Sequence, residues 1–392
     1  MLASPTRPPP LTALSALFFF ALASVGAVYP FLALDLRERG VGAGALVLTM
    51  TIAPVMNLFA APVWSALADR YQAAGRLTSL AAGLGVVGIV LLAVAPPLLV
   101  PLAMVVFGFA RAPMAPLLDG MAMQALGDDR AAYGRLRRWG SLGFLLAAFV
   151  APFLWDRLGL APLWLASLLG LALLGLALRL PSADRLEARP ILPALRRMAR
   201  DPVLPWLLVA GALHFSGHIA GTSFLAVHFD AVGIGRAWSG VALSLGVAIE
   251  ILLFSISPWL LRRFGAWRLL LLAVGMALPR WLLTAAFASL PAQLLLSASH
   301  GVTFGAFWIA GVALIAERAP EGLAVSAQGV WSAAVGGLGA LVGNLSAAVA
   351  IAVAPTHMMY VWAAGAAALA VVCVARANQL RRTVERPAGN YS

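Results

Sequence analysis

Twelve apolar runs, each close to the length of a bilayer-crossing helix, make up almost the whole of this chain. They fall at roughly 11–34, 41–67, 77–96, 99–126, 132–156, 160–180, 203–228, 237–261, 268–289, 292–316, 323–352 and 357–375. A helix rises about 1.5 Å per residue and the hydrocarbon core is about 30 Å thick, so roughly 20 apolar residues span it. The 392 residues are 62% hydrophobic and only 11% charged, whereas a soluble domain is about half apolar and one quarter charged. The expected class is an all-α membrane protein of about twelve transmembrane helices, embedded in a lipid bilayer and without a sizeable soluble domain.

The formal net charge is +12, and every basic residue is an arginine. Position decides what this charge means. Most of the arginines stand in short loops between apolar runs, where they set topology rather than bind nucleic acid. Counted from a cytoplasmic N-terminus, the cytoplasmic loops hold Arg70, Arg76, Arg130, Arg135, Arg137 and Arg138, then Arg179 through Arg200, then Arg262, Arg263 and Arg268, and the tail from Arg376 to Arg386. The opposite face holds Arg37, Arg39, Arg157 and Arg236. By the positive-inside rule this asymmetry predicts an even number of spans in a bacterial-type inner (plasma) membrane, with both termini cytoplasmic. Met1 to Pro10 carries Arg7 alone, too weak a basic region for a cleaved signal peptide.

The longest polar stretch, 181–202, divides the chain into a six-helix half at 1–180 and another at 203–376, followed by a cytoplasmic tail at 377–392. The halves echo each other. Arg70 and Arg262 close the second span of each, and Trp139 and Trp331 open the fifth, at the same interval. Two pseudo-symmetric halves around a central cavity are what a rocking transporter requires. Chance likeness between similar loops is the alternative.

Ionisable side chains in hydrocarbon cost several kcal/mol each, so they face a bundle interior or a wet cavity. Glu250, Arg280 and His300 fall at the bilayer middle on three consecutive spans. An arginine can keep a buried carboxylate ionised, and a histidine can exchange protons near neutral pH. The same trio could serve as a structural ion-pair network. In the first half, Asp119 and Arg137 fall at one depth, and Arg111 shares roughly the helix face of Asp119. Arg137 could equally be a loop arginine beside Arg135 and Arg138. His214 and His218 stand four apart on the seventh span, a spacing that suits a metal, but no further ligand accompanies them, and pore-lining or packing histidines are the preferred reading. Pro30, Pro113, Pro116 and Pro258 can kink their spans, and Gly336, Gly337, Gly339 and Gly343 suit close helix packing. The lone Cys373 makes no intrachain disulfide and no cysteine metal cluster. No phosphate loop, nucleophile elbow or zinc-protease motif occurs, so neither ATP-driven transport nor hydrolase chemistry is expected.

With Leu67-Ala68-Asp69-Arg70 through Gly75-Arg76, the sequence resembles the major facilitator superfamily at its loop between spans two and three. Ser65 and Gln72 stand where that motif usually has glycines, and Gly75-Arg76 comes about three residues late. The run Tyr133-Gly134-Arg135-Leu136-Arg137-Arg138-Trp139-Gly140-Ser141-Leu142-Gly143-Phe144, Glu250 with Phe254, Arg280-Trp281, and His300 with Thr303-Phe304-Gly305-Ala306-Phe307 are similar in order and spacing to the phenylpropionate permease group, which is related to the lactose permease. The lactose permease pattern implies substrate-binding roles for Asp119 and Arg137, and a proton-coupling role for Glu250, Arg280 and His300. Thr303 replaces the second acid, the residue to which the transported proton is usually assigned. The resemblance implies a monomeric secondary transporter without a cofactor, metal site or enzymatic activity. Its partners would be protons and a small-molecule substrate: an aromatic or other carboxylic acid first, a sugar or nucleoside second. Arg111 and His218 join Asp119 and Arg137 as substrate-binding candidates, and Asp69, Arg70 and Arg76 would form a gating loop. An efflux antiporter of the same fold, or a membrane enzyme or sensor on this scaffold, are the rival readings.

Overall fold

A computed structural model describes residues 9–29, 31–158, 162–181, 192–235 and 238–384. Pro30, Arg236, most of the expected linker and the end of the tail lie outside the described residues. Those described form helices and connecting turns, with no strand among them. The chain is thus an all-α, multi-pass membrane protein. Its long helices are α1 Leu11–Val28, α3 Ala43–Tyr71, α4 Ala74–Val94, α5 Val100–Arg111, α6 Met114–Leu126, α7 Tyr133–Leu158, α8 Pro162–Ala177, α10 Leu204–Ser223, α12 Trp238–Ser255, α13 Ser257–Ala286, α15 Phe307–Arg318, α17 Ala340–Val353 and α18 Met358–Val384. Shorter helices are α2 Leu32–Glu38, α9 Leu192–Ala199, α11 Leu225–Ala231, α14 Leu290–Ala298 and α16 Ala324–Ser332.

Among the described residues, ten helical stretches are long and apolar enough to cross a membrane, or eleven if α9 and α10, bent by 72°, form one span. The expected sixth span appears as α8, only 16 residues long, which rises about 24 Å and falls short of a hydrocarbon core about 30 Å thick. Proline and glycine interrupt the helices at two points. Pro113 caps α6 directly after α5 ends at Arg111, breaking one apolar run into two helices. The eighth and ninth spans are parted at Gly265, whose φ of 74° interrupts α13. Two π-helical segments occur, Gly301–Ala306 between α14 and α15, and Ala333–Gly339 between α16 and α17.

The chain divides into two compact units. The first comprises Met1–Ile191 with Phe254–Pro258 and Glu321–Ala333, and the second comprises Leu192–Leu253, Trp259–Pro320 and Ala334–Ser392. In the first, Gly143 of α7 lies against the Phe19 backbone of α1, and in the second, Gly343 of α17 lies against Ser216 of α10. With no apolar contrast between lipid and protein, such close backbone approach is what holds spanning helices together. The inside-out pattern follows: Phe149 and Leu295 are 81% and 73% exposed, whereas Asp69, Asp119, Glu250 and Arg280 are all buried.

The turn after α3 carries a local strain. Gln72 adopts φ 51°, the one described non-glycine residue with positive φ. Its side-chain amide offsets part of the cost by donating to the Asp69 carbonyl at 2.8 Å. The usual glycine would adopt this conformation freely, whereas another L-residue there costs about 1–2 kcal/mol. Gln72→Gly should therefore leave stability unchanged or raise it by up to about 1 kcal/mol, read as the thermal unfolding midpoint of the purified protein. A clear drop would show that the amide cap outweighs the strain.

Candidate functional site

Two clusters of buried polar side chains form, one in each unit. In the first, Asp119 of α6 accepts a 2.7 Å hydrogen bond from the hydroxyl of Tyr133, the first residue of α7. Arg137 stands one turn further along α7, within electrostatic reach of Asp119, with its guanidinium 5.8 Å from the Phe254 ring. Only 7% of Arg137 is exposed, so it belongs to the interior and not to the loop set. Arg135, on the other side of the helix, is exposed. Arg111, at the end of α5, lies within electrostatic reach of Arg137 and Tyr29. Tyr133 is a member of this cluster that charge-counting missed, although its place four residues before Arg137 could have flagged it.

The second cluster is built on close helix approach. A Cβ on Gly301 would lie 2.8 Å from the Glu250 amide nitrogen, and one on Gly246 would lie 2.9 Å from the His300 Cβ. Bare glycine surfaces at both points let α12 pack onto the segment after α14. His300 Nε2 and Glu250 Oε2 consequently meet at 3.2 Å. Phe304 stacks on His300 with ring centroids 5.0 Å apart, and the His218 ring is also 5.0 Å from that of His300.

Within the expected trio, Glu250 and His300 are bonded to each other, while Arg280 lies within electrostatic reach of His300 and takes a different hydrogen-bond partner. Arg280 Nη1 donates to the Thr303 hydroxyl at 2.7 Å, and among the described residues no carboxylate lies within ion-pair distance of Arg280. Thr303, which stands where the lactose permease pattern has an acid, gives Arg280 a neutral acceptor. The acid on α12 pairs with the histidine instead. His214 Nε2 meets the Thr303 carbonyl oxygen at 2.9 Å, so the two span-seven histidines have separate partners, one on the backbone and one on aromatic rings.

Of the gating-loop candidates, Asp69 is buried, while Arg70 and Arg76 are exposed. The Asp69 carboxylate accepts from the backbone N–H of Ser326 at 2.6 Å and of Val325 at 3.4 Å. These amides open α16, where unpaired N–H groups and the helix dipole favour a negative charge. Ser326 was not legible beforehand, because no local signal marks an uncharged residue whose backbone amide meets an acid on a distant helix.

The glycine argument has a direct check. Gly301→Ala should cost about 1–3 kcal/mol through overpacking against α12, seen as a lower unfolding midpoint. Gly240→Ala on α12, with open space around it, should cost nothing. Equal effects would mean that the approach of α12 is not limited at Gly301.

The sequence matches the model of the MFS_1 like family over residues 11–362. It is 28% identical over 335 residues to the maltose permease of Geobacillus stearothermophilus, covering 83% of this chain and 82% of that protein. It is 28% identical over 244 residues to the probable 3-phenylpropionic acid transporter of Escherichia coli (strain K12), covering 60% and 63% respectively. Among solved structures, the human organic anion transporter MFSD10 superposes with a TM-score of 0.77 at 17% identity, covering 93% of this chain and 100% of that one.

Proposed function

The chain belongs to the MFS_1 like family of membrane transporters, and on that premise we propose that it is a proton-coupled symporter of a small organic carboxylate working by alternating access. Its parts in this reading are two six-helix halves at 1–180 and 203–376, a cytoplasmic linker at 181–202, cytoplasmic termini and twelve spans, acting as a monomer. The observation that carries it is the Glu250–His300 pair, joined at 3.2 Å deep in an apolar bundle. An acid and a histidine in contact can hand a proton from one to the other, and such a pair in a membrane interior is kept where protons move. Glu250 carries the coupling proton and His300 relays it. Asp119, Arg137 and Arg111 supply the substrate contacts, with the guanidinium groups suited to clamp a carboxylate. His218 flanks the relay through its ring contact with His300. Asp69 bonding to the start of α16 acts as the gate contact, with Arg70 and Arg76 beside it.

A sugar is the second reading, favoured by the likeness to a protein named maltose permease over most of both chains. Competition of labelled uptake by organic acids or by sugars separates the two.

Glu250→Gln should abolish uphill, gradient-driven uptake into proteoliposomes yet spare counterflow exchange, which needs no net proton movement. If the variant still accumulates substrate against its gradient, the coupling proton rides elsewhere. Asp119→Asn should weaken substrate binding at least about tenfold by removing the charge that holds Arg137 in place for the substrate, with the protein still folded. Unchanged affinity would reduce Asp119 to a structural acid. Cysteine placed at Arg76 should react only with reagents that reach the cytoplasm, and labelling from outside intact cells would invert the topology.

A further inference from the structure

The second unit gathers arginines where α13 and α18 come together. Arg262 and Arg263 stand just before the Gly265 turn of α13 and Arg268 just after it, while Arg376, Arg381 and Arg382 lie in the closing turns of α18. The two helices meet at this point: the Arg381 guanidinium carbon lies 5.2 Å from the centroid of the Trp267 ring. Arg262, Arg263, Arg268 and Arg382 are all exposed. Neither α13 nor α18 contains an Asp or Glu. Elsewhere in the unit, Asp201 stands ahead of α10 and Glu317 near the end of α15, and Asp201 already meets Arg318 Nε at 2.9 Å.

Like charges crowded onto two helices without an acid between them repel one another, and an anion relieves that repulsion. The aromatic neighbours indicate which kind of anion. Trp259 and Phe264 are 55% and 43% exposed and pack edge to face, with ring centroids 5.7 Å apart. They flank Arg262 and Arg263 at the end of an apolar span, the level at which Trp sits between headgroups and acyl chains. A soluble anion would use the guanidinium groups and leave these rings in water. A phospholipid uses both, because guanidinium groups fork onto phosphate oxygens while the rings cover the upper part of a chain. A headgroup with its own ammonium would set that cation against the arginines, so a net negative headgroup is preferred.

We propose that the α13 turn and the end of α18 form a binding site for the headgroup of an anionic phospholipid. Arg262, Arg263, Arg268 and Arg382 hold its phosphate, and Trp259 and Phe264 lie against its chains. Arg381 stays on Trp267 and keeps α18 against the turn. None of these residues belongs to the Glu250–His300 pair or to the substrate contacts of the transport reading, so the site stands or falls apart from that reading.

The test counts lipid bound to the full-length protein by native mass spectrometry from detergent micelles, at fixed ionic strength so that screening does not vary. The probes are phosphatidylglycerol and phosphatidylcholine with identical chains. The expected result is saturable binding of phosphatidylglycerol, about tenfold or more tighter than of phosphatidylcholine. Arg382→Gln alone, at an exposed helix end, should weaken phosphatidylglycerol about fivefold. Combining it with Arg262→Gln, Arg263→Gln and Arg268→Gln should erase the preference, with the unfolding midpoint in lipid-free detergent unchanged. Arg196→Gln with Arg197→Gln on α9, which removes two exposed arginines from a different helix of the unit, should leave the preference intact. Equal affinity for the two lipids, an unaltered preference in the Arg382→Gln and combined variants, or an equal loss in the α9 variant would overturn the site and reduce these arginines to diffuse charge. Displacement of the lipid by glycerol 3-phosphate at matched concentration would overturn it in favour of a soluble anion.

Discussion

The cost of placing a charge in hydrocarbon organises this structure more than any other single term. Several kcal/mol are lost for each ion taken from water into the bilayer interior unless it finds partners there. Several of the buried ionisable groups are accordingly tied to a specific neighbour. Asp119 takes the Tyr133 hydroxyl, Glu250 takes His300, Arg280 takes Thr303, and Asp69 takes two backbone amides of α16. These bonds tie helices together, so a shift in any one of them is also a shift in how helices lie.

Glycine supplies the geometry those bonds require. Small residues at a contact let two helix backbones approach closely. Gly246 and Gly301 strip the contact between α12 and the segment after α14 down to backbone, and Glu250 and His300 come into hydrogen-bond range across it. The π-helical segment Gly301–Ala306 begins at the same point. Wider turns of this kind recur at functional positions because they rotate the following side chains relative to a regular helix. The packing that stabilises the bundle and the placement of its titratable pair are thus one feature.

The substitution of Thr303 for an acid redistributes the polar contacts of the second unit. An acid there would give Arg280 an ionic partner. A threonine gives it a hydroxyl, and the acid on α12 is then paired with His300. One side chain thereby changes which partner each buried charge takes.

Much of this was readable without coordinates. Apolar runs of bilayer length dictate spanning helices, because an unpaired backbone polar group is too costly in lipid for any other local structure to persist. Rare charges inside those runs mark the interior for the same reason, and Asp119, Arg137, Glu250, Arg280 and His300 are all buried or nearly so. Pairing was not readable. Depth along a span follows from residue count, but the azimuth of a side chain depends on where a helix bends, as at Pro113, Gly265 and the π-helical segments. Which backbone carries no Cβ at the point of contact matters as much. Arg280 and Glu250 share a depth on paper, yet only the packed bundle decided that Glu250 meets His300 while Arg280 turns to Thr303. Partners that contribute a backbone amide, as Val325 and Ser326 do, or a ring, as Phe304 does, carry no charge to reveal them in a sequence. They became visible only when the fold brought them against a buried ion.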